Sequence, residues 1–110
     1  MSGKNSLTSR QEDMLTQIVN YGDSLGMSSE KIAIAVKAAC IESTLGIEMK
    51  NTKPESTASG LFGYTNHNWH DNHRELGDKN NTDLQIIAFY NDIDRYYERF
   101  ENYRNKQEMA

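Results

Sequence analysis

Residues 31–46 read KIAIAVKAACIESTLG, and this apolar segment organises the rest of the chain. From Ile32 to Ile41 there are ten residues, with Lys37 as the only charge and no turn residue among them. At this length such a run favours a buried helix over a strand. Glu42-Ser43 follow the apolar run, and the helix should end near Leu45-Gly46.

Glu42 is the first candidate for chemistry. On a helical wheel it shares a face with small residues, which would let a ligand approach closely: Ala35, Ala38, Ala39 and, one turn on, Gly46. Apolar surroundings favour the protonated form of a carboxyl, which is the form that a general acid needs. The alternative is a solvated residue in the last turn of a helix, and this segment alone leaves both interpretations open.

Length and composition restrict the class of protein. The 110 residues suffice for one domain, which we place over residues 1–110 with a loose lead-in at 1–7 and a fraying tail at 105–110. A net charge of −4 without a Lys/Arg cluster argues against nucleic acid and anionic membrane surfaces as partners. The single cysteine, Cys40, cannot form an internal disulfide, and its position predicts a small buried side chain.

The N-terminal sequence has no signal-peptide pattern, and no segment is long and apolar enough for a membrane span. We therefore expect synthesis in the cytoplasm. A substrate in the periplasm or cell wall would require delivery or release by other machinery.

A first helix precedes the central segment. Ser9 and Glu12 have capping-box spacing, and either Gly22 or Gly26 would end the helix. The second helix opens at Ser28 or Ser29, and the two helices should pack together.

The second half of the chain begins with a polar loop from Ile47 to Ser59. Residues 58–65, ASGLFGYT, carry two glycines and predict a short extended or hairpin-like segment. A third helix is predicted over 66–76. Thr82 and Gln85 form a second capping-box pair, which starts a long aromatic helix that keeps its period to Tyr103.

Two segments resemble the lysozyme-like superfamily, in particular soluble lytic transglycosylase and phage-type muramidase domains. They are IESTL at 41–45 and STASGLFGYT at 56–65, and the resemblance extends over about residues 32–97, including DLQI at 83–86. It implies a mainly α, lysozyme-like helical domain with a short β-hairpin-like segment beside an active-site cleft. Two features depart from the family: Gly63 stands where a glycan-contacting Gln is usual, and the late Ala-Tyr-Asn-x-Gly motif is missing.

The resemblance also assigns roles. Glu42 corresponds to the catalytic acid, and Ser43 to a residue that helps to orient it. The implied substrate-binding residues are Ser43, Ser59, Gly60, Leu61, Phe62, Tyr64, Thr65, Tyr90 and Tyr97, with Tyr90 or Tyr97 hydrogen-bonded to the Glu. If Gly63 has negative φ, a Gln there should improve glycan binding. If its backbone is left-handed, any side chain should strain the turn.

The implied reaction is cleavage of the β-1,4 bond between N-acetylmuramic acid and N-acetylglucosamine. Glycosidases normally use two carboxylates, and the sequence offers Glu48, Glu55 and Asp71 without an arrangement that singles one out. A lytic transglycosylase needs only one Glu, so hydrolysis and anhydro-product formation both stay open.

His67, His70 and His73 are the second candidate for chemistry. At this spacing on a helix the three side chains spread over about 120°, too wide for one tetrahedral zinc ion. We expect surface histidines and no metal or cofactor. Trp69 is interpreted as a core residue rather than a sugar-stacking platform.

The expected partner is therefore a peptidoglycan glycan strand. The setting would be a phage lysis or tail protein, or an antibacterial effector of a secretion machine with a cognate immunity or inhibitor protein. Two alternatives remain: a peptidoglycan-binding module without activity, and a small helical interaction protein.

Overall fold

The structure, a computed structural model, describes residues 6–51 and 53–100. Its described part is mainly helical, as predicted. The four α-helices are α1 (Ser9–Ser24), α2 (Ser29–Ser43), α3 (Asn66–His73) and α4 (Thr82–Arg95), with short 3₁₀ turns at Arg74–Leu76 and Tyr97–Phe100. The tail predicted at 105–110 and most of the lead-in predicted at 1–7 lie outside the described residues.

Polar side chains begin each helix, although two predicted caps are shifted by one residue. In α1 the capping box is formed by Thr8 and Gln11, not by Ser9 and Glu12. The hydroxyl of Ser28 caps α2. The Asn81 side chain caps α4, so Gln85 is not needed as a capping residue and is free for another role.

Two glycines near the end of α1 have different functions. Gly26, at φ +77°, follows the helix and ends it. Of the two glycines predicted as alternatives for this role, Gly26 is therefore the one observed. Gly22 lies inside the helix and is buried, and a Cβ there would come within 2.6 Å of Ile32 Cγ1 and of the Tyr90 hydroxyl. The absence of a side chain therefore lets α2 and α4 approach α1 closely.

The core lies between α1, α2 and α4, the three helices that contact one another. One face of α2 supplies Ile34, Ala35, Ala38 and Ala39, all fully or almost fully buried. The prediction that Cys40 is buried was wrong, because Cys40 and Ile41 lie off that face and are exposed. The apolar composition of the segment correctly predicted helix α2, but only one face of this helix is buried.

The elements of the second half are shorter than predicted. The β-hairpin expected at 58–65 is not formed: a turn there is joined by one isolated antiparallel bridge between Ser59 and Tyr64. The third helix passes into a 3₁₀ turn after His73. The final helix ends at Arg95, since the backbone of Tyr96 is not helical (φ −126°, ψ 41°).

Candidate functional site

Helix α2 places Glu42 and Ser43 at its C-terminal end, directly before a strained turn. Thr44 and Leu45 have φ of +53° and +54°, and this left-handed backbone costs a residue with a side chain about 1–2 kcal/mol. The Leu45 N–H donates to the Ala39 carbonyl (3.0 Å), which closes the end of the helix. The turn redirects the chain, so that residues 46–49 run beside Glu42.

Ser43 joins this helix end to the glycine-containing segment 59–64. Its hydroxyl donates to the Leu61 carbonyl (2.8 Å), with the Ala39 carbonyl at 3.1 Å, and accepts from the Gly46 N–H (3.0 Å). The side chain is buried and all its bonds are internal. Ser43 therefore positions the segment behind Glu42 and does not reach a ligand, contrary to its predicted role in binding.

Gly63 is the residue of segment 59–64 that lies against Glu42. Its φ is +67°, and a Cβ there would be 2.8 Å from Glu42 Oε1. Of the two conformations that the sequence left open, the left-handed one is observed. A side chain at 63 would be strained and would also occupy the space of the carboxylate, which accounts for glycine at this position.

Gln85, a polar residue on the buried side of α4, holds the same segment from behind. Its Oε1 accepts from the Phe62 N–H (3.0 Å), while its Nε2 donates to the carbonyls of Ser59 (3.1 Å) and Lys79 (2.9 Å). A Cβ on Gly60 would be 2.2 Å from that Nε2. The buried amide thus satisfies backbone groups that a hairpin would have paired through strand hydrogen bonds.

Lys79 supplies a third support. Its ammonium donates to the carbonyls of Thr57 (2.7 Å) and Tyr64 (3.0 Å) and to the Ser59 hydroxyl (2.9 Å). Partial burial lowers the pKa of this lysine, although nearby Asp78 acts in the opposite direction. The positive charge therefore lies directly behind the residues that face Glu42.

The opposite side of the site is formed by α1 and the loop after α2. Arg10 Nε donates to the Gly46 carbonyl (2.7 Å), and Gln11 Nε2 donates to the Thr44 carbonyl (3.1 Å). The Gly60 N–H donates to the Met49 carbonyl (2.8 Å), which connects the loop to the glycine segment. Between these elements is an open cleft of about 730 Å³.

The cleft brings Glu42 together with two of the predicted binding residues, Ser59 and Gly60. Its lining residues are Arg10, Glu42, Gly46, Ile47, Glu48, Met49, Lys50, Asn51, Lys53, Ser56, Ala58, Ser59, Gly60 and Gly63. Glu48 therefore shares the cleft with Glu42, whereas Glu55 and Asp71, the other carboxylates considered from the sequence, do not line it.

Several predicted binding residues are used inside the protein instead. Leu61 is buried, Phe62 stacks on Phe89 (centroids 4.2 Å apart), and the Tyr64 hydroxyl donates to Asp92 (2.6 Å). Thr65 accepts from the Asn68 N–H as the N-cap of α3. These side chains shape the site from behind, and none of them lines the cleft.

The tyrosine that was expected to hydrogen-bond Glu42 bonds to a different group. The buried Tyr90 hydroxyl donates to the Ile18 carbonyl (2.6 Å), which joins α4 to α1. Tyr97 lies in the 3₁₀ turn after α4, near the Lys31 ammonium, and does not line the cleft. The expectation of an apolar, desolvated Glu42 was likewise wrong, because its side chain is exposed.

The three histidines do not form a common site. His67 is exposed and lies 3.0 Å from Asp71. The prediction of a surface histidine was wrong for His73, which is buried, with Nε2 3.0 Å from the Asp92 carboxylate. Asp92 Oδ2 thus serves both His73 and the Tyr64 hydroxyl, and burial with this contact raises the pKa of Tyr64. Within residues 6–51 and 53–100, no three His, Cys, Asp or Glu side chains are grouped to hold a metal ion.

Trp69 is a buried core residue, as predicted, and its indole N–H donates to the Gly77 carbonyl (2.8 Å). Sequence reasoning missed the roles of Arg10, Lys79 and Gln85. Gln85 could have been noticed as a polar residue among the apolar positions of α4. The contacts of Arg10 and Lys79 depend on the tertiary fold and leave no local pattern.

Comparison with protein-family models, with curated proteins and with solved structures found no match for this chain.

Proposed function

We propose that the chain cleaves the glycan strand of peptidoglycan at the MurNAc–GlcNAc β-1,4 bond, with Glu42 as general acid and base. The observation that carries the proposal is the position of Glu42 in an open cleft, against the side-chain-free backbone of Gly63. A carboxyl at such a place is accessible to a sugar oxygen, and an extended polymer can pass through an open cleft without having to thread an end.

In this reaction protonated Glu42 donates its proton to the leaving glycosidic oxygen, while positive charge develops on the muramic ring. Glu42 is exposed and lines the open cleft, where its carboxyl can reach the glycosidic oxygen of a bound glycan. After bond cleavage the carboxylate accepts a proton either from the muramic 6-hydroxyl, which gives an anhydro product, or from water.

Glu48 bears on the choice between these two outcomes. It is the other carboxylate that lines the cleft, and hydrolytic glycosidases commonly use a pair. Glu42 is the one of these two carboxylates that lies beside the Cβ position of Gly63, and we favour the single-carboxylate, transglycosylase reaction.

The proposal is tested by measuring the release of muropeptides from purified sacculi by the wild type and by three variants, Glu42→Gln, Glu55→Gln and Glu48→Gln. Glu42→Gln should reduce the release of muropeptides on the order of a hundredfold or more, because the amide keeps the shape but cannot donate an acidic proton. Glu55→Gln, an equal charge change outside the cleft, should behave like the wild type. Glu42→Gln activity close to that of the wild type would refute the assignment.

Mass spectrometry of the released fragments separates the chemical outcomes. Anhydro-muramyl ends with an active Glu48→Gln variant would identify a transglycosylase that uses one carboxylate. Reducing muramyl ends together with an inactive, folded Glu48→Gln variant would identify a hydrolase that uses both.

A second candidate is a module that binds peptidoglycan without cleaving it. Two observations favour it: Glu42 is exposed, and the Tyr90 hydroxyl is bound to the Ile18 carbonyl rather than to Glu42. A sacculus pull-down of wild-type protein with no muropeptide release would support this candidate. A helical interaction protein, the third class, would bind neither sacculi nor soluble glycan.

Action on peptidoglycan would take place in the periplasm or cell wall, after injection by a secretion or phage-tail apparatus or after release by lysis. An effector of this kind would require an immunity or inhibitor protein. No helix among the described residues has the length and hydrophobicity to cross a bilayer.

A further inference from the structure

The net charge of the described cleft lining is opposite in sign to the net charge of the whole chain. Among residues 6–51 and 53–100, three cationic side chains, Arg10, Lys50 and Lys53, line it together with two carboxylates, Glu42 and Glu48. The described part of the lining therefore has one more positive than negative charge, whereas the 110-residue chain carries a formal net charge of −4. A cationic site on an acidic protein attracts a ligand that carries negative charge beside its neutral groups.

The two lysines are available for such a ligand. Both are exposed, and neither ammonium has a hydrogen-bond or ion-pair partner among residues 6–51 and 53–100. Lys31 and Lys79 differ in this respect, since their ammonium groups are held by Asp94 and by the glycine segment.

Arg10 has a mixed role. Its guanidinium holds the turn after α2 through Gly46 and lies 4.0 Å from the Met49 sulfur. The group has five N–H donors, so it can hold the loop and still present donors to the cleft. Because its substitution would also loosen the loop, Arg10 is not a useful test position.

Both lysines belong to the loop that also contributes Asn51 to the cleft. The Lys53 N–H donates to Asn51 Oδ1 (2.8 Å), and the Asn51 side chain in turn donates to the Ser56 carbonyl. The loop is therefore internally hydrogen-bonded across residues 51–56. Glu55 belongs to the same loop but does not line the cleft.

We propose that Lys50 and Lys53 form an anion subsite that selects glycans bearing carboxylates over neutral N-acetylglucosamine polymers. The inference rests on the proposed function, since it assigns the substrate class of the same cleft. The carboxylates have two sources in a muramyl glycan: the stem peptide, where it is attached through an amide to the lactyl group, and the lactyl group itself, where the stem has been removed. Both are oxyanions that an exposed lysine binds through charge-assisted hydrogen bonds.

The test measures equilibrium binding by folded Glu42→Gln protein, which is not expected to cleave its ligand. Titration against stem-bearing glycan strands should give a higher affinity than titration against a chitooligosaccharide of equal length. Adding Lys50→Gln and Lys53→Gln should weaken binding of the stem-bearing strands on the order of tenfold and leave chitooligosaccharide binding within about twofold. The preference should also shrink when salt is raised from about 0.05 M to about 0.5 M.

A matched control removes the same charge elsewhere. Lys37→Gln with Arg95→Gln, both outside the cleft, should leave the preference unchanged. An amidase that removes the stem hydrolyses the amide that joins it to the sugar and frees the lactyl carboxylate. A lysine dependence on the stripped strands shows that the subsite accepts the lactyl carboxylate, and its loss restricts the subsite to carboxylates of the stem.

Three results would overturn the inference: an unchanged preference in the lysine variant, an equal loss in the control variant, or equal lysine-dependent binding of a single-stranded oligonucleotide. These results are distinct from failure of the proposed function, which is judged by cleavage of sacculi by wild-type protein. A protein that binds stem-bearing strands through its lysines but cleaves nothing would keep the subsite and refute the enzyme.

Discussion

Under the proposed function, Gly63→Ala should reduce the release of muropeptides far more than it impairs folding. A Cβ at this position would be 2.8 Å from Glu42 Oε1, so the carboxylate must move by about 0.6 Å to reach an ordinary contact of 3.4 Å. Because that oxygen is the end of an exposed, flexible side chain, it can move with little loss of stability. A displaced catalytic group loses rate steeply, and we expect on the order of tenfold or more in the release of muropeptides.

Gly26→Ala is the matched control, since Gly26 has a similar φ (+77°) but nothing within 4 Å of its Cβ position. Both variants place alanine in a left-handed conformation, at a cost of about 1 kcal/mol. Both should therefore melt about 4–8 °C below the wild type in a thermal scan. Only Gly63→Ala should lose additional activity. Sacculus digestion by Gly63→Ala within about twofold of Gly26→Ala would refute the reasoning about Glu42.

Gln85→Leu should destabilise the protein by about 3 kcal/mol or more in urea unfolding, because it leaves one backbone N–H and two carbonyls without their partner; a loss below about 1 kcal/mol would contradict this role. Stability should fall as pH rises above about 10, because the raised pKa values of Tyr64 and Tyr90 keep both protonated in the folded state while the unfolded chain ionises. Tyr64→Phe should lower stability at pH 7, through loss of the bond to Asp92, yet flatten that alkaline slope, and an unchanged slope would argue against the burial of its hydroxyl. Zinc or a chelator should leave the melting temperature unchanged, and a shift of several degrees would indicate a metal site at the histidines of α3.

The helices were predictable because their signals are local. The apolar run of 32–41 indicated α2, and Gly26 ended α1 as one alternative required. Errors of one residue at the caps arose because Thr8 and Ser9, like Asn81 and Thr82, are adjacent residues that can both cap a helix.

The site was predictable only in part. The sequence placed Glu42 beside the glycine segment, and the structure brings them together in one cleft. Which side chains face the cleft was not predictable, because the pattern that marks Phe62 and Tyr64 as apolar does not tell a core contact from a ligand contact. The hairpin was also wrong: apart from the Ser59–Tyr64 bridge, the segment is held by the side chains of Gln85 and Lys79, which are remote in sequence.

The exposure of Glu42 shows where helical periodicity alone misled. Its neighbours Ala38 and Ala39 are fully buried, but α2 ends one residue beyond Glu42 and the chain turns away through Thr44. The turn leaves the carboxylate without a covering layer. Backbone reversals of this kind depend on residues with a left-handed backbone conformation. A threonine gives no local indication that it will adopt this conformation.

The hydrogen bonds that hold the glycine segment also determine when the cleft can exist during biosynthesis. The bonds join Ser43 to Leu61, Phe62 to Gln85 and Ser59 to Gln85, pairs that are 18, 23 and 26 positions apart in the sequence. The segment therefore acquires its shape only after α4 has been made. Helices α1 and α2 can pair earlier because both are synthesised before residue 46, although the bonds from Arg10 to Gly46 and from Gln11 to Thr44 join residues 36 and 33 positions apart. A nascent chain would therefore carry Glu42 on a formed helix but without a cleft, and any activity of the site would be latent until translation had passed Gln85.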